Sequence, residues 1–279
     1  MANRKALRRW RHAQAEELNC WTEIQHKLQS AEYIEKKKEY WRRVLRKAGL
    51  SLDKLHEKRV LEVGCGPSGI FLLLEPSNNI LLLDPLMNDY KRLAPDLVRS
   101  HRSVSEPLES ADLRDRFDVV FAVNCIDHCS DIRLFLERLA AVTAARGTVV
   151  LAVNTHLREW TEFVWQKAQR FMEPHHPYHF TADGYSRLLK PLFEIQQVID
   201  IEEDVLWINR ETTVIDGVQH VRERSPLVLL ANKLRGGEIV GSLFIRILAL
   251  FGLPQHDLRG VGRSIYRHKM FLLRPRDPN

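Results

Sequence analysis

Cysteine is scarce in this chain: four in 279 residues, at Cys20, Cys65, Cys125 and Cys129. No two form a CxxC pair, and His128 between Cys125 and Cys129 has no second ligand pair at zinc-site spacing. That pattern argues against a disulfide framework and against a zinc finger. All four read as free thiols in a reducing compartment, and no metal is expected. Long apolar runs are also missing. The longest, Ile239 to Leu253, is interrupted by Ser242 and Arg246 and falls short of a membrane span. The N-terminus carries Arg4, Lys5, Arg8, Arg9 and Arg11 without the apolar stretch of a secretory signal. Internal repeats and low-complexity tracts are absent. The expectation is a soluble, cytoplasmic protein with no transmembrane segment.

An apolar share of 44% is present, enough for a sizeable core in one elaborated domain. The formal charge of +6 is uneven: residues 1–60 hold sixteen Lys/Arg against eight Asp/Glu. Such an excess suits an acidic partner or a solvated helical face. No aromatic–basic stacking motif accompanies it, so the solvated face is the preferred reading.

Periodicity divides the chain. Trp21, Ile24, Leu28 and Ala31, then Ile34, Trp41, Val44, Leu45 and Ala48, recur at helical spacing, and Gly49 is a natural stop. From residue 59 the period changes. Short aliphatic runs at 59–64, 79–85, 117–124 and 147–154 read as strands buried on both faces, with a weaker strand near Ser100–Val104. Helical patterns alternate with them; Asp131 caps one that runs to about Gly147. A further helix is expected within 156–176, carrying Trp160, Phe163 and Trp165 as packing residues. Another follows Thr181, a sixth strand covers 192–201 and a seventh covers 264–275. Alternating strands and helices predict an α/β, doubly wound, mostly parallel sheet. The boundaries follow: an N-terminal helical cap (1–57), an α/β core (58–204), an insertion (205–262) and a last core strand (263–279). The insertion is too long for a plain loop and has an apolar helix around 238–252, most simply read as packing on the core.

The run Val60-Leu-Glu-Val-Gly-Cys-Gly-Pro-Ser-Gly69 carries the chemistry. A strand enters glycines that permit a tight turn and close ligand approach, and a helix follows. Gly64, Gly66 and Gly69 also satisfy GxGxxG, which alone is a weak dinucleotide signal. Asp84, eighteen residues after Gly66 at the end of the second strand, suits the diol of a ribose. Glu62 separates the cofactors: its charge beside the loop would repel a pyrophosphate and attract a ligand bearing ammonium and sulfonium groups.

At this point the chain resembles the class I S-adenosylmethionine (SAM)-dependent methyltransferases, in their type-11-like branch. The glycine run is similar to their first motif and Leu81–Pro85 to their second. Residues 107–131, 135–155 and 175–189 are similar to their later segments. The resemblance covers roughly 58–204 and the last strand. It implies a Rossmann-like seven-stranded sheet with a C-terminal antiparallel strand, and SAM as cofactor. Glu62, Gly64, Cys65 and Gly66 would lie at its methionine end, Asp84 at the ribose, Glu109 beside the adenine, and Asn124 near the sulfonium. Pro67-Ser68-Gly69 lengthens the loop relative to the commoner GxGxG, which gives Gly69 a role in shaping the helix start. The segment Asn124-Cys-Ile-Asp-His-Cys129 is not the Asn/Asp-Pro-Pro-aromatic motif of amino-directed nucleic-acid methylases.

His128, after the fourth strand, is the candidate general base, with Asp127 to orient it. His156, His176, Tyr178 and His179 are candidate substrate contacts. His175 lies in the same dense stretch, without a carboxylate at metal-site spacing. The function expected is methyl transfer to O or N, less readily C, of a small molecule. The rivals are an RNA methyltransferase, favoured only by the basic N-terminus, and a non-catalytic methyltransferase-like scaffold. An NAD-dependent oxidoreductase is disfavoured by Glu62.

Overall fold

A computed structural model of the chain describes residues 4–75, 79–159, 162, 178–214 and 266–276. Four helices open it: α1 (Arg4–Glu23), α2 (Gln25–Leu28), α3 (Ala31–Lys47) and α4 (Leu52–His56). The helical period across residues 21–31 is broken twice, after Glu23 and at Ser30. The Ser30 hydroxyl caps α3 by accepting from Tyr33 N. At the other end Gly49 has φ +67, Gly49 N donates to Arg46 O, and Leu50 N donates to Leu45 O. These paired bonds close the helix in the Schellman manner.

The core then alternates: β1 (Val60–Val63), β2 (Ile80–Leu83), α5 (Met87–Leu93), α6 (Pro95–Val98), β3 (Arg102–Val104), β4 (Phe117–Val123), α7 (Ile132–Val142) and β5 (Thr143–His156). It ends with α8 (Ala182–Leu189), β6 (Phe193–Asp200), α9 (Glu202–Val214) and β7 (Tyr266–Pro275). The seven strands run in the order β3-β2-β1-β4-β5-β7-β6. Only β7 is antiparallel, to both β5 and β6.

Each central strand is buried on both faces. Val60, Ile80, Leu82, Val119, Phe121, Val150 and Leu272 pack on one side with Trp41, Val44 and Leu45 of α3. Leu61, Val63, Leu83, Val120, Val149, Leu151 and Phe271 pack on the other with Phe135, Leu136 and Leu139 of α7. The strict alternation is the period-two geometry of a strand, with both faces apolar because helices cover both. Both expected caps form. Asp131 accepts from Arg133 N and Leu134 N, and Thr181 accepts from Gly184 N.

The helix after Asp131 stops at Val142 rather than near Gly147, and the strand begins at Thr143. Thr143 is extended, with its hydroxyl donating to Leu139 O at 2.6 Å, and it pairs with Phe117 before the register shifts. β-branched Val142 and Thr143 suit a strand better than a helix end. Helix α9 crosses residue 204 and lies along α3. Lys47 Nζ is 2.6 Å from Asp204 Oδ2, Lys36 Nζ is 2.6 Å from Glu211 Oε2, and the Arg43 guanidinium lies 3.9 Å over the Trp207 ring. Residues 215–265, with the apolar stretch at 238–252, and residues 160–177, Glu162 apart, which hold most of the helix expected within 156–176, lie outside the described residues, His175 and His176 among them. Among the described residues, no helix is long and apolar enough to cross a membrane.

Candidate functional site: an acid-walled cleft over the glycine loop

The glycine loop leaves β1 at the carboxyl edge of the sheet, where open α/β folds place their ligands. Gly64 and Gly66 have φ +63 and +56, the left-handed region that glycine enters without penalty. A Cβ on Gly64 would stand 2.3 Å from Cys125 Cβ, so the loop lies directly against the end of β4. Asn124, at that end, also has a positive φ of 55, a conformation asparagine tolerates better than most residues. Its amide is held by Ala152 O at 2.8 Å.

Two buried carboxylates organise the loop. Asp84 accepts from Gly66 N at 3.0 Å and from Leu86 N at 2.9 Å, locking the glycine turn to the end of β2. Burial, and then the neighbouring Glu17 charge, push its pKa up to about 7. Glu62 accepts from Ile70 N at 2.7 Å and Phe71 N at 3.0 Å. Its carboxylate therefore faces the start of the following 3-10 turn, and burial raises it to about 8 against those two donors. Gly69 makes this possible: a Cβ there would lie 2.1 Å from Glu62 Oε1.

The cleft itself is lined by Gly64, Asp84, Glu106, Pro107, Leu108, Glu109, Asn124, Cys125 and His128, and is covered by Trp10, Gln14 and Glu17 of α1. Glu109 Oε1 accepts from Ser130 N at 2.7 Å and Ser130 Oγ at 3.0 Å, and Tyr178 OH donates to Ser130 O at 3.2 Å. On the α1 side, Glu17 accepts from Trp21 Nε1 at 3.4 Å and lies 3.5 Å from Tyr90 OH. The Trp21 ring would stand 3.7 Å from a Cβ on Gly66.

Of the residues singled out from the sequence, Gly64, Asp84, Glu109, Asn124 and His128 therefore share one cleft. Glu62, Cys65 and Gly66 stand behind its wall and shape it. Cys65 is buried and its thiol is pushed well up by desolvation, as are those of Cys125 and Cys129, which makes them poor nucleophiles. Asp127, His156 and His179 are buried together beyond His128. Asp127 Oδ1 is 4.0 Å from His128 Nε2, and the His156 and His179 rings are 5.9 Å apart. Burial drives the His156 pKa down to about 4 and lowers that of His179, which the Asp127 charge pulls back up. Neutral imidazoles result. Among the described residues, no three His, Cys, Asp or Glu side chains are grouped to hold a metal.

The contribution of α1 was not read from the sequence. Trp10, Gln14, Glu17 and Trp21 recur at helical spacing and form one face, but two polar members hide it from an apolar-period search.

A family described as a methyltransferase domain matches residues 33–192. The ubiquinone biosynthesis O-methyltransferase of Nitrobacter winogradskyi is 31% identical over 120 residues, which are 40% of this chain and 44% of that protein. The match thus spans less than half the length of this curated relative. Among solved structures, the O-methyltransferase of a trans-AT PKS multienzyme from Brevibacillus brevis, in complex with S-adenosylhomocysteine, aligns with a TM-score of 0.51. It is 14% identical, over 85% of this chain and 71% of that one. The cyclase SpnF aligns with a TM-score of 0.52 at 14% identity, over 85% of this chain and 80% of that one. At such identities the likeness is one of fold.

Proposed function

Because the chain belongs to the methyltransferase-domain family, with the class I SAM-dependent fold, we propose that it transfers the SAM methyl group to an oxygen or nitrogen of a small molecule. SAM supplies a methyl group already activated by its positive sulfur. The protein's tasks are to align the acceptor, exclude water and accept a proton.

The residues present fit this cofactor. Asp84 is buried at the end of β2, where a carboxylate can accept from two ribose hydroxyls. Glu109 and Asn124 line the same cleft, and we assign the first to the adenine and the second to the sulfonium side. Gly64 and Gly66 let the methionine end approach the backbone, with Glu62 holding the loop from behind. Helix α1 excludes water from above. The cleft is lined by four carboxylates, Glu17, Asp84, Glu106 and Glu109, a field that favours a cationic ligand and opposes a pyrophosphate. This is the observation that carries the reading.

Among the described residues lining the cleft His128 is the one imidazole, and it takes the acceptor's proton, with Asp127 orienting it. Tyr178, His156, His179 and His176 are assigned to the substrate side. A base of this kind suits a hydroxyl acceptor, and the O-methyl chemistry named for the curated relative agrees. Residues 58–204 with the last strand serve as the SAM-binding core, residues 1–57 as its cover, and 205–262 as a substrate or interface region. Free thiols at all four cysteines suit a cytoplasmic location.

The test is calorimetric titration with SAM, S-adenosylhomocysteine and NAD, on the natural protein and on Asp84→Ala. Adenosyl ligands should bind and NAD should not, with binding weakened at least tenfold in the variant. A folded protein that binds neither adenosyl ligand would sink the proposal and leave a scaffold role.

A further inference from the structure

Ser130 uses its amide, its hydroxyl and its carbonyl, and they serve two different parts of the site. Its N donates to Glu109 Oε1 at 2.7 Å, and its Oγ donates to the same oxygen at 3.0 Å. Its carbonyl accepts from Tyr178 OH at 3.2 Å. Glu109 lines the cleft, whereas Tyr178 belongs to the acceptor side assigned above. Among the described residues, both hydrogen bonds that Glu109 accepts fall on Oε1, which leaves Oε2 for a donor in the cleft. The amino group of adenine is such a donor.

The chain on each side of Ser130 is held. Cys129 lines the cleft, and Asp131 caps α7 by accepting from Arg133 N and Leu134 N. Tyr178 is fastened at its backbone as well, where Tyr185 OH donates to Tyr178 O at 2.9 Å. Two residues on, Phe180 O accepts from His156 N at 2.8 Å, at the end of β5. A displacement of Ser130 therefore reaches segment 178–181 directly. Burial raises the Tyr178 pKa, so its hydroxyl stays a donor at neutral pH. A carboxylate bonded through one oxygen alone can still rock about its side-chain torsions, and a ligand donor on the other oxygen removes that freedom. Freedom lost once at Ser130 need not be lost again at Tyr178, so the two sites favour each other.

We propose that Ser130 is a positioning residue that couples the two halves of the site. It aims Glu109 at the adenine and, through Tyr178, steadies segment 178–181 once the cofactor is bound. The inference rests on the SAM-binding reading and adds a link by which bound cofactor prepares the acceptor side.

The experiment measures amide hydrogen exchange across residues 178–189, none of which lines the cleft, with and without saturating S-adenosylhomocysteine. The second ligand is its deamino analogue, with hydrogen in place of the adenine amino group. The proteins are the natural chain, Ser130→Ala, Ser130→Thr and Tyr178→Phe, with saturation checked by calorimetry. In the natural protein S-adenosylhomocysteine should slow exchange there about 2- to 10-fold, the range that one hydrogen bond carries, and the deamino analogue should not. Tyr178→Phe should show no slowing when saturated. Ser130→Ala should reduce the slowing and bind S-adenosylhomocysteine about 2- to 10-fold more weakly, and Ser130→Thr, which keeps the hydroxyl, should restore both. A merely structural role would alter exchange equally with and without ligand. Equal slowing by the two ligands, slowing that survives in Tyr178→Phe, an undiminished effect in Ser130→Ala, or binding without slowing in the natural protein would overturn the coupling. Absence of S-adenosylhomocysteine binding to the natural protein would overturn the SAM reading itself, and this inference with it.

Discussion

Replacing Gly69 with alanine isolates what the third glycine of the loop does. Its backbone, at φ −78 and ψ −168, is extended and accepts any residue, so no conformational strain is introduced. The added Cβ would stand 2.1 Å from Glu62 Oε1 and 2.8 Å from Cys65 O. The carboxylate must therefore leave Ile70 N and Phe71 N, which it reaches at 2.7 and 3.0 Å. At about pH 9, above the Glu62 pKa of about 8, these are hydrogen bonds to a charged group, which contribute about 1.5–3 kcal/mol each, and in this buried site water does not replace them. Allowing partial rearrangement, Gly69→Ala should cost about 3–5 kcal/mol, a large share of a typical folding free energy. In a Glu62→Ala background the same substitution should cost only about 1 kcal/mol, from the Cys65 carbonyl. The coupling between the two sites is then about 2–4 kcal/mol, measurable by urea unfolding followed through tryptophan fluorescence in a double-mutant cycle. Additivity within about 0.5 kcal/mol would refute the claim that Gly69 exists to admit the Glu62 carboxylate.

Stability should also depend on pH in a defined direction. Glu62 and Asp84 have folded pKa values raised to about 8 and 7 from 4.5 and 3.8, so their contribution is complete below about pH 4 and is lost as pH rises through 7–8. The urea midpoint of the ligand-free protein should fall between pH 5 and 8, and less so in Asp84→Asn; a flat profile would contradict the burial argument. Above about pH 8 the lowered pKa of Lys37 acts in the opposite sense, because the unfolded chain then binds the extra proton. At the proposed catalytic position, His128→Gln should reduce turnover by about 10²-fold or more while S-adenosylhomocysteine affinity stays within about twofold; equal losses in both would make His128 a binding residue instead.

Much of the core was legible because its strands are buried on both faces, so runs such as Val60–Val63 and Val119–Ala122 stand out without alternation. The caps at Asp131 and Thr181 were legible because capping is local chemistry between residues two or three apart. Asp84 stands at the end of β2, where the aliphatic run stops, and lines the cleft. Glu62 was recognised, but its direction was not: spacing marks a charge near the loop without saying that the charge is spent on backbone donors. Long-range facts were hidden altogether. Helix α1 covers the cleft through residues that precede the glycine loop by more than forty positions, and its face mixes Trp10 and Trp21 with Gln14 and Glu17.

The insertion of β7 between β5 and β6 has a consequence for how the chain becomes a protein. β6 ends at Asp200 and its sheet partner starts at Tyr266, so β6 leaves the ribosome with nowhere to pair. β5 likewise waits with one side of its ladder bare. Until Tyr266–Pro275 slides in between them, the nascent sheet exposes two unsatisfied edges, each able to recruit a stray strand from another molecule. Completion of the fold is a wedging event that waits for these residues. A lesion in those ten residues would be felt less as a weakened enzyme than as a chain that aggregates before it ever has a site to use.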